Sequence, residues 1–260
     1  MRFGFCAPVD QAGAVAEAGY DYFEPSVVGA LRPEEADDAV MPALTQALAE
    51  LPIRPEAFNV FLPGELRVTG PDVDPDKQTA YLQIALGRAA AAGAKVVVFG
   101  SGRARMVPDG FPTDKANFQI LSFLKRAAPI AEEHAITVVI EPLNRGECNI
   151  INSVAEGMNF VRTLRRPGIA MLSDLYHVTM EQQDYAETRD AGAALAHVHV
   201  AGREGRRVPT RDDLEFLTAY FAVLKEIRYA RRISVEGNTV DIRAEAPVAL
   251  AVMREAWDVA

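Results

Sequence analysis

The chain has 260 residues and a formal net charge of −9, which comes from 36 acidic and 27 basic side chains. This charge disfavours nonspecific binding to nucleic acid, because such binding requires a surface rich in lysine and arginine. Hydrophobic residues make up 49% of the chain and aromatic residues only 8%, a balance that suits alanine-rich helices around an aliphatic sheet better than an all-β sandwich.

Apolar, strand-like runs alternate with helical stretches along the whole chain. The predicted strands are Arg2–Cys6, Tyr20–Glu24, Glu56–Phe61, Lys95–Gly100, Thr137–Glu141, Ile169–Asp174, Ala196–Val200 and Ile233–Glu236. The predicted helices are Gln11–Ala18, Pro33–Glu50, Pro75–Ala92, Thr113–His134, Val154–Leu164, Glu181–Ala191, Arg211–Ile227 and Arg243–Trp257. This alternation indicates βαβ units and a parallel sheet. Because an eight-unit barrel needs about 250 residues, we expect an α/β fold with a single (β/α)8 TIM barrel, one domain over residues 1–260.

Four residues with metal-binding side chains end predicted strands. Glu141 ends VVIE, Asp174 ends AMLSD, His199 ends AHVH and Glu236 ends ISVE. Since the carboxyl ends of parallel barrel strands meet at one rim, we expect these side chains to form one divalent-cation site. Three carboxylates and one imidazole suit Mn²⁺, the expected ion, or alternatively Mg²⁺ or Co²⁺, whereas a structural zinc site would require cysteine clusters.

Two of these carboxylates are also candidates for proton transfer. A cation that chelates adjacent oxygens of a ketose acidifies the carbon between them and stabilises the resulting enediolate. Glu141 and Glu236 end predicted strands five and eight, roughly opposite each other around the ring. We therefore expect them to act as the acid–base pair on the two faces of a bound substrate.

The remaining histidines and two arginines leave alternatives open. His197 and His199 alternate on one strand and so share a face, with His199 nearer the rim and His197 one layer deeper. His177, three residues after Asp174, could contact substrate or form a hydrogen bond to a ligand. Arg103 and Arg105 could bind a phosphate or carboxylate, or could lie on the surface of a loop.

The segment VVIEPLNRGECNIINSVAEG, with the later SDLYHV, HVHVAG and ISVEGN, closely resembles the xylose-isomerase-like TIM barrels, a superfamily of sugar isomerases and epimerases. This resemblance implies that Glu141, Asp174, His199 and Glu236 bind metal and that the two glutamates are the acid–base pair. It also implies that substrate contacts come from three further residues, Glu147, His177 and Arg206. The chain differs from ketose 3-epimerases in having Ser101 where they carry a tryptophan, so the metal chemistry carries over better than the substrate specificity.

Several functions are compatible with this pattern. The favoured one is a metal-dependent epimerase or isomerase of a free or phosphorylated sugar, of the ketose 3-epimerase type. An aldose–ketose or hydroxypyruvate isomerase, or an inosose-type dehydratase that expels a β-hydroxyl, would use the same scaffold. A nucleic-acid enzyme like the apurinic endonucleases of this superfamily is disfavoured by the net charge and by the presence of only four histidines. A catalytically silent sugar-binding protein is disfavoured because all four ligands are present.

The sequence also carries expectations about compartment and assembly. Cys6 and Cys148 are expected to be a reduced pair rather than a disulfide framework. The amino terminus lacks a signal-peptide core, and no apolar run approaches the roughly 20 residues that span a bilayer. We expect a cytoplasmic protein whose partner is a small sugar, and the resemblance adds the expectation of a homodimer or homotetramer.

Overall fold

The structure, a computed structural model, describes residues 1–260. Its strands are β1 Arg2–Cys6, β2 Tyr22–Glu24, β3 Ala57–Phe58, β4 Val96–Phe99, β5 Thr137–Ile140, β6 Ile169–Asp174, β7 Leu195–Val200 and β8 Arg232–Val235. All eight belong to one sheet in the order β2-β1-β8-β7-β6-β5-β4-β3, and every neighbouring pair is parallel.

The edge strands β2 and β3 close the ring through isolated main-chain contacts. Phe23 N donates to Arg54 O at 3.4 Å, and Val27 N donates to Asn59 O at 2.8 Å. Strand β3 is shorter than predicted, and Val60, just beyond it, has a φ of 44° that lies outside the extended region. The nearly closed parallel barrel with its surrounding helices confirms the predicted TIM-barrel fold.

The helices are α1 Ala12–Glu17, α2 Asp37–Glu50, α3 Pro75–Ala92, α4 Gly102–Arg105, α5 Thr113–Glu133, α6 Val154–Leu164, α7 Leu175–Met180, α8 Ala186–Ala191, α9 Leu214–Glu226 and α10 Ile242–Val259. Local signals explain their starts: Asp74 caps α3 by accepting from Asp76 N and Lys77 N, and Ser153 caps α6 by accepting from Glu156 N. None of the helices combines the length and the apolar character that crossing a membrane requires.

The predicted helix Glu181–Ala191 is wrong. A short helix, α7, starts directly after β6 instead, and only α8 lies in the predicted range. The cause is local, because the Asp174 carboxylate accepts a hydrogen bond from Tyr176 N at 2.8 Å and so caps α7 at the strand end. This early helix carries His177 to the rim.

Alternation along the strands separates the two faces of the sheet. Residues that face the helices belong to a core of 65 buried residues, and inward-facing residues form a second, smaller cluster. That inner cluster comprises Tyr22, Ala57, Val96, Val98, Val139, Leu172 and Ala196. The next inward positions towards the carboxyl ends of the strands form the rim layer. The rim layer consists of Cys6, Glu24, Asn59, Gly100, Glu141, Asp174, His199 and Glu236.

A β-bulge sets the register of the histidine strand. Met171 of β6 pairs with Leu195, but Leu172 pairs with His197, so Ala196 is an extra residue in β7. Beyond the bulge, Asp174 pairs with His199. The bulge therefore aligns the rim histidine with the rim aspartate.

Candidate metal centre and substrate site

The four predicted ligands meet in the rim layer. Glu141, Asp174, His199 and Glu236 each offer one ligand atom, and these atoms all lie within 4.8 Å of one another. Nδ1 of His199 is 3.1 Å from Oε1 of Glu141 and 3.4 Å from Oε2 of Glu236. The first three residues are buried and Glu236 is half-buried, so the cluster lies just below the mouth of the barrel.

The donor set fits a divalent cation. Carboxylate and imidazole ligands lie about 2.0–2.2 Å from such an ion, so two ligands on opposite sides are about 4.4 Å apart at most. The clustering of the four ligand atoms within 4.8 Å is close to this limit. Oδ2 of Asp174 is buried without any hydrogen-bond partner, and such an orphaned oxygen is costly unless a ligand satisfies it.

The electrostatics of the cluster also favour a cation. The pKa of Asp174 is raised to about 6, chiefly by burial, with Glu236 and Glu141 also raising it and His177 and His199 opposing the rise. Burial also acts to raise the pKa of Glu236, but His199 and Arg206 outweigh it and hold that pKa below its usual range. The site thus concentrates negative charge that a bound cation would balance.

Glu24 is part of this site although the sequence analysis assigned it no role. Its Oε1 lies 2.9 Å from Nε2 of His199, and its Oε2 lies 2.8 Å from Nε2 of His197. Burial acts to raise the pKa of Glu24, but the two histidines hold it well below the usual range. The signal was present in the sequence, because Glu24 ends its strand in the same way as the four predicted ligands.

The three predicted substrate contacts surround the cluster. Arg206 lies with Nη2 2.5 Å from Oε2 of Glu236 and Nη1 3.3 Å from Oε1 of Glu147. Its guanidinium carbon is 4.7 Å from the centre of the Tyr176 ring, a cation–π contact that the sequence did not indicate. His177 is buried on α7, with its Nε2 3.6 Å from Oδ2 of Asp174.

His177 has a defined orientation. Its Nδ1 accepts a hydrogen bond from Asn144 N at 3.1 Å, so Nε2 carries the proton in the neutral ring. That Nε2 is buried and has no partner, which leaves it as a free donor next to the cluster of candidate ligands. Asn144 also donates through Nδ2 to Oε1 of Glu147 at 3.0 Å, so the EPLNR segment orients two of the predicted substrate contacts.

The suggestion that Arg105 could bind an anion is wrong. Arg105 is fully buried, and its guanidinium donates to Phe99 O at 2.9 Å and to Glu141 O at 2.6 Å. It therefore ties together the ends of β4 and β5 and fixes the backbone of a predicted ligand. Arg103 is 85% exposed, with Glu65 at 4.0 Å, and remains free to meet a ligand.

A cavity of about 450 Å³ opens above the cluster. Glu141, Glu236, Glu147 and Arg206 line it, together with apolar side chains that include Val60. Gly100 forms part of the same rim layer, and a Cβ there would lie 2.1 Å from Oε2 of Glu141. The glycine thus makes room for the glutamate carboxylate.

A known family matches most of the chain. The model of the xylose isomerase-like TIM barrel family matches residues 12–256. The chain belongs to this family.

Individual relatives are ketose epimerases. The L-ribulose 3-epimerase of Methylomonas sp. strain DH-1 is 31% identical over 136 residues, which are 52% of this chain and 47% of the relative. The L-ribulose 3-epimerase of Mesorhizobium japonicum is 26% identical over 250 residues, covering 93% of this chain and 79% of the relative. The chain therefore spans about half the length of the first of these relatives and about four fifths of the second.

A solved structure reinforces the fold. The crystal structure of D-allulose 3-epimerase from Methylomonas sp. in complex with D-allulose superposes with a TM-score of 0.83. The two chains are 24% identical, and the match covers 98% of this chain and 97% of the other.

Proposed function

We propose that this protein is a divalent-metal-dependent sugar epimerase that inverts a carbon next to the carbonyl of a ketose, as a ketose 3-epimerase does. The observation that carries the proposal is the cluster of Glu141, Asp174, His199 and Glu236, with ligand atoms within 4.8 Å of one another. The names of the relatives support the choice of an epimerase among the reactions compatible with this cluster.

Mn²⁺ is the ion that we propose for the site. The three carboxylates suit Mn²⁺, and the one imidazole suits a first-row transition metal better than Mg²⁺, which prefers oxygen ligands and keeps several waters. A divalent ion held by these residues supplies Lewis acidity, which withdraws electron density from the carbonyl oxygen and the neighbouring hydroxyl of the ketose.

Glu141 and Glu236 would carry the proton. Epimerisation needs one group to remove the proton from one face of the carbon and a second group to return it on the other face. Both carboxylates line the cavity, and their positions after β5 and β8 let them approach a substrate from different sides. Glu236, like other glutamates, is ionised at neutral pH, and an ionised carboxylate at this position can act as the base.

The substrate would be oriented by His177, Glu147 and Arg206. The unpaired Nε2 of His177 can donate a hydrogen bond to a substrate oxygen. Glu147 can accept from a hydroxyl group, because its side chain is 40% exposed at the cavity. Arg206 contacts both Glu147 and Glu236, so it links the substrate-binding side of the cavity with the proton-transfer side.

A product analysis tests this function. The enzyme loaded with Mn²⁺ is incubated with a panel of ketoses, aldoses, their phosphates and inososes, and the products are identified by NMR. An epimeric ketose supports the proposal, whereas an aldose product would instead indicate an isomerase and loss of water a dehydratase. No product from any substrate, with metal bound, would contradict it.

Substitutions connect the activity to the site. Glu141→Gln and Glu236→Gln should abolish turnover, and bound metal must be quantified in each variant because both residues are also candidate ligands. Glu255→Gln, on α10 and paired with Arg211 at the surface, is the matched control and should retain wild-type activity. Activity that survives the loss of either rim glutamate would overturn the assigned roles.

A further inference from the structure

The Glu24 carboxylate forms hydrogen bonds with three buried side chains, His197, His199 and Ser234. It is fully buried at the end of β2, and each of its carboxylate oxygens forms a hydrogen bond with Nε2 of one histidine, Oε1 with His199 and Oε2 with His197. Its Oε2 also accepts a hydrogen bond from Ser234 Oγ at 2.6 Å, and Ser234 Oγ lies 2.8 Å from Tyr22 OH. Three side chains therefore hold this one carboxylate in a fixed plane.

The arrangement decides which nitrogen of His199 faces the metal cluster. An ionised carboxylate can only accept hydrogen bonds, so the His199 nitrogen that contacts Glu24, Nε2, must carry a proton. Nδ1 is then the nitrogen that points at Glu141 and Glu236, at 3.1 Å and 3.4 Å. A cation that binds Nδ1 replaces any proton there, while Glu24 retains the proton on Nε2.

We propose that Glu24 is a positioning residue, which holds the proton of His199 on Nε2 and thereby directs the Nδ1 lone pair to a divalent cation between Glu141, Asp174 and Glu236. This inference rests on the proposed metal site. A carboxylate that accepts the second N–H of a metal-bound imidazole fixes the ring orientation and raises the basicity of the ligand.

His197 helps to fix the orientation of the Glu24 carboxylate. It lies one layer below His199 on the same face of β7, with its ring centre 4.9 Å from that of His199. By occupying Oε2 of Glu24, His197 and Ser234 leave only Oε1 for His199. The carboxylate therefore cannot rotate towards the cavity without losing two buried hydrogen bonds, each of which is costly to leave unmade.

The test compares metal affinity in two variants. Glu24→Gln keeps the shape of the side chain, but its amide offers one acceptor and one donor and cannot accept from both histidines. Titration calorimetry with Mn²⁺ should show a dissociation constant weaker by about 10- to 100-fold. Glu255→Gln makes the same chemical change in the surface pair with Arg211 and is the matched control, so its Mn²⁺ affinity should equal that of the wild type.

A purely structural role would give a different result. Thermal unfolding of the metal-free proteins measures the contribution of Glu24 to stability, and a lower melting temperature with unchanged Mn²⁺ affinity would overturn the inference. Failure of the wild-type protein to bind Mn²⁺ would instead overturn the proposed metal site together with this inference. The two failures are therefore distinguishable.

A second measurement needs no variant. Nitrogen-15 NMR of the wild-type protein loaded with diamagnetic Zn²⁺ reports which ring nitrogen of His199 bears the metal and which bears a proton. The inference requires metal on Nδ1 and a proton on Nε2. Metal on Nε2 would overturn it, even if Glu24→Gln does not fold.

Discussion

Substituting Gly100 by alanine should displace the carboxylate of Glu141, although no candidate ligand residue is itself substituted. The new Cβ would lie 2.1 Å from Oε2 of Glu141, and real contacts of this kind do not fall below 3.0 Å. The oxygen must therefore retreat by at least about 0.9 Å, the difference between those two distances, whereas metal–ligand distances hold to within about 0.2 Å. Misplacement of a reacting group by about 1 Å can reduce the rate by about 100-fold.

The loss of stability should be small. The next atoms, Cδ of Glu141 and Cδ2 of Leu143, would lie at 3.3 Å and 3.7 Å from the new Cβ, so only the end of one side chain must move. An off-rotamer side chain costs about 0.5–1.5 kcal/mol. We therefore expect Gly100→Ala to lose about 100-fold in kcat/KM and to bind Mn²⁺ more weakly, with a urea unfolding midpoint close to that of the wild type.

The assay needs a glycine control. Gly13 lies inside α1 with no atom within 4 Å of an added Cβ, so Gly13→Ala should leave kcat/KM and Mn²⁺ affinity unchanged. Gly100→Ala with both quantities within about threefold of the wild type would refute the reasoning, because the carboxylate would then tolerate a displacement that abolishes ordinary metal coordination.

Three further substitutions test the buried arginine, the proposed substrate contact on α7 and the ion pair between Arg207 and Asp213. Arg105→Met leaves the buried Glu141 carbonyl without its donor, whereas Phe99 O still accepts from Glu141 N; at about 1–3 kcal/mol for the unpaired carbonyl, urea unfolding should show a loss of at least about 1 kcal/mol, and an unchanged midpoint would contradict the assigned tie between β4 and β5. His177→Asn should leave Mn²⁺ affinity intact while raising KM or lowering kcat, and wild-type kinetics would return this residue to a structural role. Burial acts to raise the pKa of Asp213, but hydrogen bonds from Arg207 and two backbone N–H groups lower it below its ordinary value. Its contribution to stability is therefore complete above the unfolded pKa of about 4 and is lost as the pH falls through the folded pKa. Asp213→Asn should thus be less stable than the wild type at neutral pH, and urea unfolding at decreasing pH should show this difference shrinking below about pH 4, whereas a constant difference would contradict the argument.

The cluster of candidate ligands could be predicted from the sequence because its members all stand at strand ends. Asp174 and His199 are the last inward residues of predicted β-branched runs, and a closed parallel barrel brings all such residues to one rim. The same reasoning applies to Glu24, which ends its strand in the same way. What the sequence did not contain was a reason to associate Glu24 with the histidines, since their contact depends on the closure of the sheet and on the bulge at Ala196.

Other features depended on packing that no local pattern encodes. In the sequence, Arg105 follows a predicted strand and two glycines, and this local pattern is equally compatible with an exposed residue that binds an anion. Only the tertiary fold brings the carbonyl oxygens of Phe99 and Glu141 within reach of its guanidinium. The helix α7 was missed because it is short and lacks an apolar repeat, and its start depends on a cap from Asp174, which the sequence analysis had assigned only to metal binding.

The most direct test of the proposed function is hydrogen exchange at the reacting carbon. Proton NMR in D₂O should follow a ketose substrate with the Mn²⁺-loaded protein, after treatment with EDTA, and after Mn²⁺ is restored, with excess Mn²⁺ removed before the spectra are recorded. We expect deuterium at the carbon next to the carbonyl, lost with EDTA and recovered with Mn²⁺, and absent in Glu236→Gln. Epimerisation without deuterium incorporation, or exchange that persists in the metal-free protein, would contradict a metal-dependent proton transfer by the rim glutamates.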